Sequence, residues 1–328
     1  MREDRLTQKF AKLTKPGRDA QNLPLGIGDD AALWKPKSGR QVILTCDWFL
    51  EGTHFLPGKH SPDSVGWKCL ARALSDVAAM GGTPGCFLLS LALPASLTGR
   101  WLDQFLAGLR RAARHFACPL AGGDTTRRDQ VLISIAIGGE IRSGQAVLRS
   151  GARPGDVLFV SGILGQAELG LRFLRQSGKP TRANQPCLKK HLYPEPRLAL
   201  GRWLAEKRLA SAMMDLSDGL STDLPRLCQA SAVGARVDAG TIPQFKLLSH
   251  RAPRIGSKMN SLDLALHGGE DYELLFTVPQ RQAKRIPASF AGLPITRIGE
   301  ITRNPAVILR ETNGREKPLR NRGWDPFR

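Results

Sequence analysis

Nine acidic residues stand beside Gly, Ser or Thr at the ends of apolar runs. They are Asp29 and Asp30 in GIGDDA, Asp47 in LTCD, Asp76 in ALSDVAAMGG, Asp124 in AGGDTT, Asp215 and Asp218 in DLSDGL, and Glu270 and Asp271 in HGGEDYEL. They make up nearly a third of the 29 Asp and Glu of the chain, and they sit where flexible backbone meets a strand or helix, the position at which sites are commonly built. Taken singly, each has a plain structural use as a turn, cap or helix residue. Taken together, they raise an electrostatic question. Two carboxylates about 5 Å apart repel by roughly 3 kcal/mol at an effective dielectric near 20, so a converging set needs protons or a cation. Hard oxygen donors without Cys or His partners point to Mg2+ or Mn2+, and Mg2+ usually shares its shell with substrate phosphates. The Gly-Gly pairs before Asp124 and Glu270 let a phosphate approach the backbone closely. The residues alone therefore lead to a Mg2+-dependent enzyme handling phosphates, with a nucleotide as the expected carrier.

Two familiar phosphate motifs are mimicked without being present. Gly26-Ile27-Gly28-Asp29-Asp30-Ala31 fits G-x-G-x-x-A, but Pro24 precedes it and Pro36 follows it where a dinucleotide site wants a strand and a helix. Ser177-Gly178-Lys179-Pro180-Thr181 has Phe173 where a P-loop needs its first glycine, and Pro180 splits the lysine from the threonine. H-R-D-L and D-F-G are absent as well, so neither P-loop nor protein-kinase machinery is expected.

The elements that must position these acids follow from periodicity. Apolar or alternating runs bounded by Gly and Pro predict strands at Gln41–Phe49, Cys86–Leu93, Val131–Ile141, Asp156–Ser161, Tyr272–Val278 and Ala306–Arg310. Helical spacing is expected over Ser64–Met80, Arg100–Phe116, Leu164–Arg175, Pro196–Lys207 and Ser221–Ser231. Gln176–Gln185 reads as an exposed loop. Strands interleaved with helices, together with hairpin-like strand pairs, favour an α+β fold over a regular doubly wound sheet. The small-residue stretch Ser150–Gly155 predicts a boundary between a domain of residues 1–149 and one of residues 150–328.

Composition limits the classes. The chain has 328 residues, 48 Lys and Arg, and a formal net charge of +19, which raises nucleic-acid binding as a rival reading. That reading wants interleaved aromatics, and only 6% of residues are aromatic. It also leaves the acid motifs unexplained, so no nucleic-acid partner is expected. The six cysteines (Cys46, Cys69, Cys86, Cys118, Cys187, Cys228) are scattered without C-x-x-C, which argues against a disulfide framework or zinc site. The longest apolar stretch, Cys86 to Leu97, is too short to span a bilayer, and the N-terminus lacks a signal-like apolar segment. A cytoplasmic protein with no membrane partner is expected.

At these motifs the chain closely resembles the thiamine-monophosphate kinase family, within the superfamily of aminoimidazole ribonucleotide synthetase and selenophosphate synthetase. The resemblance runs in order through GIGDDAA, TCDWFLEGTHF, VGWKCLARALSDVAAMGGTP, AGGDTT, LRSGARPGD, VSGILG, HLYPEPR, MDLSDGLSTDL, LHGGEDYELLFT and GWDPF. It implies a two-domain PurM-like architecture and a homodimer whose N-terminal halves pair into a shared barrel-like sheet, with nucleotide near that interface. The implied reaction is the ATP-dependent phosphorylation of thiamine monophosphate to thiamine diphosphate by direct transfer, with several Mg2+ ions bridging. It also implies residue roles: Asp30, Asp47, Asp76, Asp124, Asp215 and Asp218 match metal-binding acids, and Thr45 and Cys46 match hydroxyl residues that also touch metal. Gly123, Asp124, Arg149 and Ser217 match nucleotide contacts, while His54, Glu270 and Trp324 match contacts to the thiamine substrate. No residue is assigned as a general base, since an attacking phosphate oxygen hardly needs one.

Two departures stand out. Cys46 replaces the usual Ser or Thr, and a thiol is a poor Mg2+ ligand; Ala73 replaces the usual Asn. The purine-synthesis members of the superfamily are the alternative, but EGTHF and HGGEDYEL favour the thiamine branch. Selenophosphate synthetases tend to carry an early reactive cysteine, whereas none precedes Cys46, and the hydrogenase-maturation relatives tend to end in a cysteine, whereas this chain ends WDPFR.

Overall fold

The structure is a computed structural model that describes residues 22–27, 31–176, 182, 184–245 and 260–327. Asp29 and Asp30 lie outside the described residues. The chain divides into two compact units, Met1–Val77 with Gly82–Gly144, and Ala78–Gly81 with Gln145–Arg328.

The N-terminal unit is built on a four-stranded sheet. Its elements are β1 (Arg40–Leu50), α1 (Pro62–Ala79), β2 (Thr83–Leu93), α2 (Arg100–His115), β3 (Leu120–Arg127) and β4 (Leu132–Arg142). Strand order is β1-β4-β2-β3. β1 and β2 run antiparallel to β4, and β3 runs parallel to β2, the relation that calls for a crossover, here supplied by α2. From Val42 onward β1 alternates. Ile43 and Phe49 are buried, whereas Leu44 is 79% and Trp48 57% exposed. One face of the sheet therefore enters the core and the other presents apolar side chains to solvent. α1 opens on Ser61, whose Oγ accepts the Ser64 amide at 3.3 Å, with Pro62 at its first position. It buries Val65, Leu70, Leu74 and Val77.

The C-terminal unit comprises β5 (Val157–Ser161), α3 (Gln166–Arg175), α4 (Gln185–Leu192), α5 (Leu198–Glu206), β6 (Ala212–Leu216), α6 (Leu220–Ala230), β7 (Gly234–Asp238), α7 (Ser261–His267), β8 (Glu273–Val278), β9 (Ser289–Phe290), β10 (Leu293–Thr302), β11 (Val307–Arg310) and β12 (Glu316–Pro318). The sheet order is β12-β11-β7-β10-β5-β8-β6, with β9 on β10. All pairs are antiparallel except β7 with β11. Leu220, Leu224 and Leu227 of α6 pack on Leu158 and Val160 of β5, Met214 and Leu216 of β6, Leu275 of β8, and Ile298 and Ile301 of β10. Mixed sheets with helices are an α+β fold. Among the described residues no helix is long and apolar enough to cross a membrane. All six cysteines are free thiols, and all but Cys46 are buried.

Each strand and helix expected from periodicity is present within a few residues. β3, β6, β7, β9, β10 and β12 were not expected, nor were the short helices α4 and α7. Gln185, placed at the end of an expected loop, instead begins α4; residues 177–181 and 183 of that loop lie outside the described residues.

Candidate functional site

In the N-terminal unit a strand and a helix match their repeats. Thr45 and Asp47 are two apart on β1, roughly 6.6 Å along a strand. Arg72 and Asp76 are four apart on α1, roughly 6 Å along a helix. Thr45 Oγ1 donates to Asp76 Oδ2 at 2.5 Å, and Arg72 Nε donates to Asp47 Oδ2 at 3.3 Å. The Arg72 guanidinium also lies 5.6 Å from the centre of the Phe49 ring, a cation–π contact that steadies it. The result is a short row of hard oxygen donors with an arginine serving as counter-cation. That donor chemistry fits Mg2+.

Other expected members are elsewhere. Strand alternation puts Cys46 on the opposite face from Thr45 and Asp47, exposed, with Sγ 3.3 Å from Ser134 Oγ of β4. Asp47 pairs across to Ile135, Ile135 to Leu89, and Leu89 to Gly123. Three strand spacings, roughly 14 Å measured along the sheet, thus separate Asp47 from Gly123 and its neighbour Asp124. Asp124 is exposed in the middle of β3, its Oδ1 accepting the Thr125 amide at 2.8 Å. Gly123 must be glycine: a Cβ there would lie 1.9 Å from the Leu89 carbonyl oxygen. His54 closes the turn after β1, its Nδ1 accepting the Leu50 amide at 2.9 Å, so the neutral ring carries its proton on Nε2.

The C-terminal unit gathers five expected residues. Asp215 is the penultimate residue of the buried strand β6, and Ser217 and Asp218 form the turn into α6. The Glu270 amide donates to the Ser217 carbonyl at 2.7 Å, and the Tyr272 amide to that of Leu216 at 2.9 Å. The Trp324 amide donates to the Asp218 carbonyl at 3.0 Å. Glu270 and Tyr272 both adopt left-handed backbone, at φ 64° and 48°, an uncommon state for residues with a Cβ and one concentrated at functional loops. Arg149 is not in this group. Its carbonyl accepts Ser231 Oγ at 2.9 Å, at the far end of α6, roughly 16 Å of helix away from Asp218.

Several supporting residues were given no role by the sequence reading, although Asp271 stood among its nine acids. Arg226 Nη1 donates to Asp218 Oδ2 at 2.5 Å and to Asp223 Oδ1 at 2.9 Å, and Asp223 Oδ2 accepts the Asp218 amide at 2.9 Å. Burial, and then the neighbouring Asp218 charge, push the Asp223 carboxyl up to about 7. Asp271 is buried and accepts the amides of Gly165 and Ala167, at 2.5 and 3.0 Å, at the start of α3. Burial pushes it up to about 7, against the pull of Lys190 and those amides. Glu273 accepts Lys190 Nζ, Arg197 Nη2, Arg197 Nε at 2.7 Å and Ser161 Oγ at 2.6 Å. Burial alone would raise its carboxyl, but the two cations overcome this and hold it down at about 2. His191 Nδ1 lies 3.3 Å from Glu270 Oε2. The segment HLYPEPR, whose role the sequence leaves open, therefore supplies two side chains, His191 and Arg197, that brace HGGEDYE together with Lys190 just before it. A signal was available: Glu273 is a carboxylate inside an apolar run, and such a group needs a buried partner. Among the described residues, no three His, Cys, Asp or Glu side chains form a ready-made metal group.

The sequence matches two family models in order: AIR synthase related protein, N-terminal domain, over residues 28–141, and AIR synthase related protein, C-terminal domain, over residues 153–310. The chain is thus a two-domain member of the AIR synthase related class. It is 34% identical over 314 residues to thiamine-monophosphate kinase of Bacillus subtilis, covering 94% of each chain. It is 37% identical over 311 residues to the enzyme of that name from Escherichia coli K12, covering 93% of each. A solved thiamine-monophosphate kinase from Stenotrophomonas maltophilia superposes with a TM-score of 0.79 at 35% identity, over 93% of this chain and 94% of that one. AaThiL, solved in complex with AMPPCP and TMP, gives 0.78 at 33% identity and 92% of each chain. The chain belongs to the thiamine-monophosphate kinase family.

Proposed function

We propose that this protein transfers the γ-phosphoryl group of ATP directly and in line to thiamine monophosphate, giving thiamine diphosphate and ADP, with Mg2+ assisting. The observation that carries this is the relative that binds AMPPCP, an ATP analogue, together with TMP, and that matches this chain over 92% of its length. Donor chemistry supports it. Thr45, Asp47 and Asp76 offer hard oxygens in the N-terminal unit, and Asp215 and Asp218 do so in the C-terminal unit. Both Asp47 and Asp218 already hold an arginine against one carboxylate oxygen. Bound Mg2+ would neutralise phosphate charge, which is most of what phosphoryl transfer demands.

Residue roles follow. Asp30, Thr45, Asp47, Asp76, Asp124, Asp215 and Asp218 are the proposed metal-binding set; Gly123, Arg149 and Ser217 contact nucleotide; His54, Glu270 and Trp324 contact thiamine monophosphate. Cys46 is dropped as a side-chain ligand in this proposal, because it faces away from Asp47. Arg149 suits a phosphate through a bidentate fork, and Trp324 suits a cationic heteroaromatic ring. The N-terminal domain is the proposed nucleotide and dimer domain, and the C-terminal domain is assigned a part in the substrate site. The dimer would form through the solvent face of the four-stranded sheet, where Val42, Leu44, Trp48 and Leu88 are all exposed. Contiguous exposed apolar side chains mark an interaction site. We place the reaction in the cytoplasm, where ATP is supplied.

The test is direct. Folded protein with Mg2+, ATP and thiamine monophosphate should yield thiamine diphosphate and ADP, and no product overturns the proposal. Asp47→Asn and Asp218→Asn should each abolish turnover while leaving far-UV and near-UV circular dichroism unchanged. Full activity in both would refute the metal assignment.

A further inference from the structure

Trp324 sits in a segment fastened to the fold at several points. Leu319 still pairs with the sheet, its amide donating to the Val307 carbonyl at 2.9 Å. Beyond it the chain turns onto the start of α6. Asn321 Oδ1 accepts Thr222 Oγ1 at 2.7 Å. Arg322 Nη2 reaches His267 Nε2 at 2.7 Å and Asp263 Oδ1 at 3.3 Å, both on α7. With Nε2 accepting from a guanidinium, the His267 proton belongs on Nδ1, which lies 2.8 Å from Ser221 Oγ. Burial and then the Arg322 charge hold His267 below its ordinary value, which keeps the ring a neutral acceptor.

Gly323 then passes so close to the turn that a Cβ would lie 2.2 Å from the Asp218 carbonyl oxygen and 2.3 Å from Thr222 Oγ1. Under 3 Å from backbone, no side chain is accommodated without moving the strand of chain that carries it. The next amide, that of Trp324, donates to the same carbonyl at 3.0 Å. Yet the indole that these contacts deliver is 47% exposed. A tail ordered only to cover core would bury its largest apolar side chain. This one is pinned by its backbone at the Asp218 turn and leaves its side chain half exposed.

We propose that Asn321, Arg322 and Gly323 are positioning residues that hold the Trp324 ring at the distance from the Asp218 turn at which it receives a cationic heteroaromatic ligand. The proposal rests on the assignment of Trp324 to the thiamine substrate. Arg322 acts through α7 and Gly323 through the absence of a side chain. Neither touches the ligand.

The experiment uses full-length protein with Mg2+ and ATP. Gly323→Ala and Arg322→Met should each raise KM for thiamine monophosphate by about 2- to 30-fold, the range a lost ring–cation contact allows, with KM for ATP unchanged. Hydrogen exchange of the peptide carrying the Trp324 amide should quicken in both variants. Arg322→Lys, which keeps a cation opposite Asp263, should recover part of the loss. Trp324→Ala provides the calibration, and Gly323→Ala added to it should cost nothing more. If exchange does not change in Gly323→Ala or Arg322→Met, the tail is not held by these residues and the proposal fails. If exchange quickens and Trp324→Ala raises KM, but the two positioning variants do not, the proposal fails while the substrate role of Trp324 stands. If Trp324→Ala itself leaves KM unchanged, the substrate role fails and takes the proposal with it.

Discussion

Glu273→Gln isolates the bracing of the HGGEDYE segment from the chemistry. Glu273 is buried and accepts from Lys190, Arg197 and Ser161. Its carboxyl is held down at about 2 against an ordinary value of 4.5. The folded state thus binds this proton less readily than the unfolded chain, so the stabilisation is present above about pH 4.5 and is lost as pH falls through about 2. A difference of 4.5 − 2 = 2.5 pH units, at 1.36 kcal/mol each, gives about 3 kcal/mol. That agrees with the ~3–5 kcal/mol expected for removing one partner of a buried ion pair. Glutamine preserves the shape but leaves Lys190 and Arg197 facing a neutral amide. For a unit of this size, about 2–4 °C per kcal/mol translates this into a fall of roughly 6–12 °C in the melting of the C-terminal unit. Calorimetry at pH 7 reads the shift, and a pH series from 5 to 2 reads the linkage. A fall under about 2 °C, or an acid slope between pH 4.5 and 2 as steep as in the parent protein, would refute the reasoning.

Asp271 should behave with the opposite sign. Burial pushes it up to about 7 from 3.8, so its contribution to stability is full below about pH 4 and is lost as pH rises through 7; Asp271→Asn should flatten that part of a stability–pH profile followed by urea denaturation. Cys46→Ala should leave Mn2+ binding, followed by electron paramagnetic resonance, and turnover within about 3-fold of the parent, because less than ~1 kcal/mol is expected of a side chain on the far face of β1; a larger loss would return the thiol to the metal site. Leu44→Glu should convert a dimer to monomer in sedimentation velocity with little change in monomer folding, since Leu44 is 79% exposed in the single chain.

The strands and helices legible in the sequence are those whose burial alternates or repeats. β1 shows period 2 and α2 buries Leu102, Phe105, Leu106, Leu109 and Ala112 along one face, so both declare themselves. β6 does not: all five of its residues, Ala212 to Leu216, are buried, the charged Asp215 included, and a short strand buried on both faces carries no period. β3 was hidden for another reason. Its core AGGDTT has the composition of a loop, and it becomes a strand because β2 offers it a parallel ladder from Phe87 to Leu93, tertiary pairing overriding local propensity. The separation of Cys46 from Asp47, by contrast, was already legible. A strand over Gln41–Phe49 puts adjacent residues on opposite faces, and treating Thr45, Cys46 and Asp47 as one ligand set overlooked that consequence.

The acids were legible as a problem and their partners were not. Repulsion between carboxylates implies a cation, and the sequence argument supplied one from solution. The fold supplies others from its own 48 Lys and Arg. Arg72 meets Asp47 across 25 residues, Arg226 bridges Asp218 and Asp223, and Lys190 with Arg197 meets Glu273 across 83 and 76 residues. No periodicity announces the contacts made across 25, 76 and 83 residues. They divide the acids by task. Glu273 is sealed at 1% side-chain exposure with two cations and can bind nothing else. Asp47 and Asp218 keep 29% and 21% exposure with one arginine each, an arrangement that satisfies the carboxylate in the absence of metal and leaves it open to a stronger cation. The positive charge that first pointed to nucleic acid is, at these positions, the counter-charge that the carboxylates meet inside the fold.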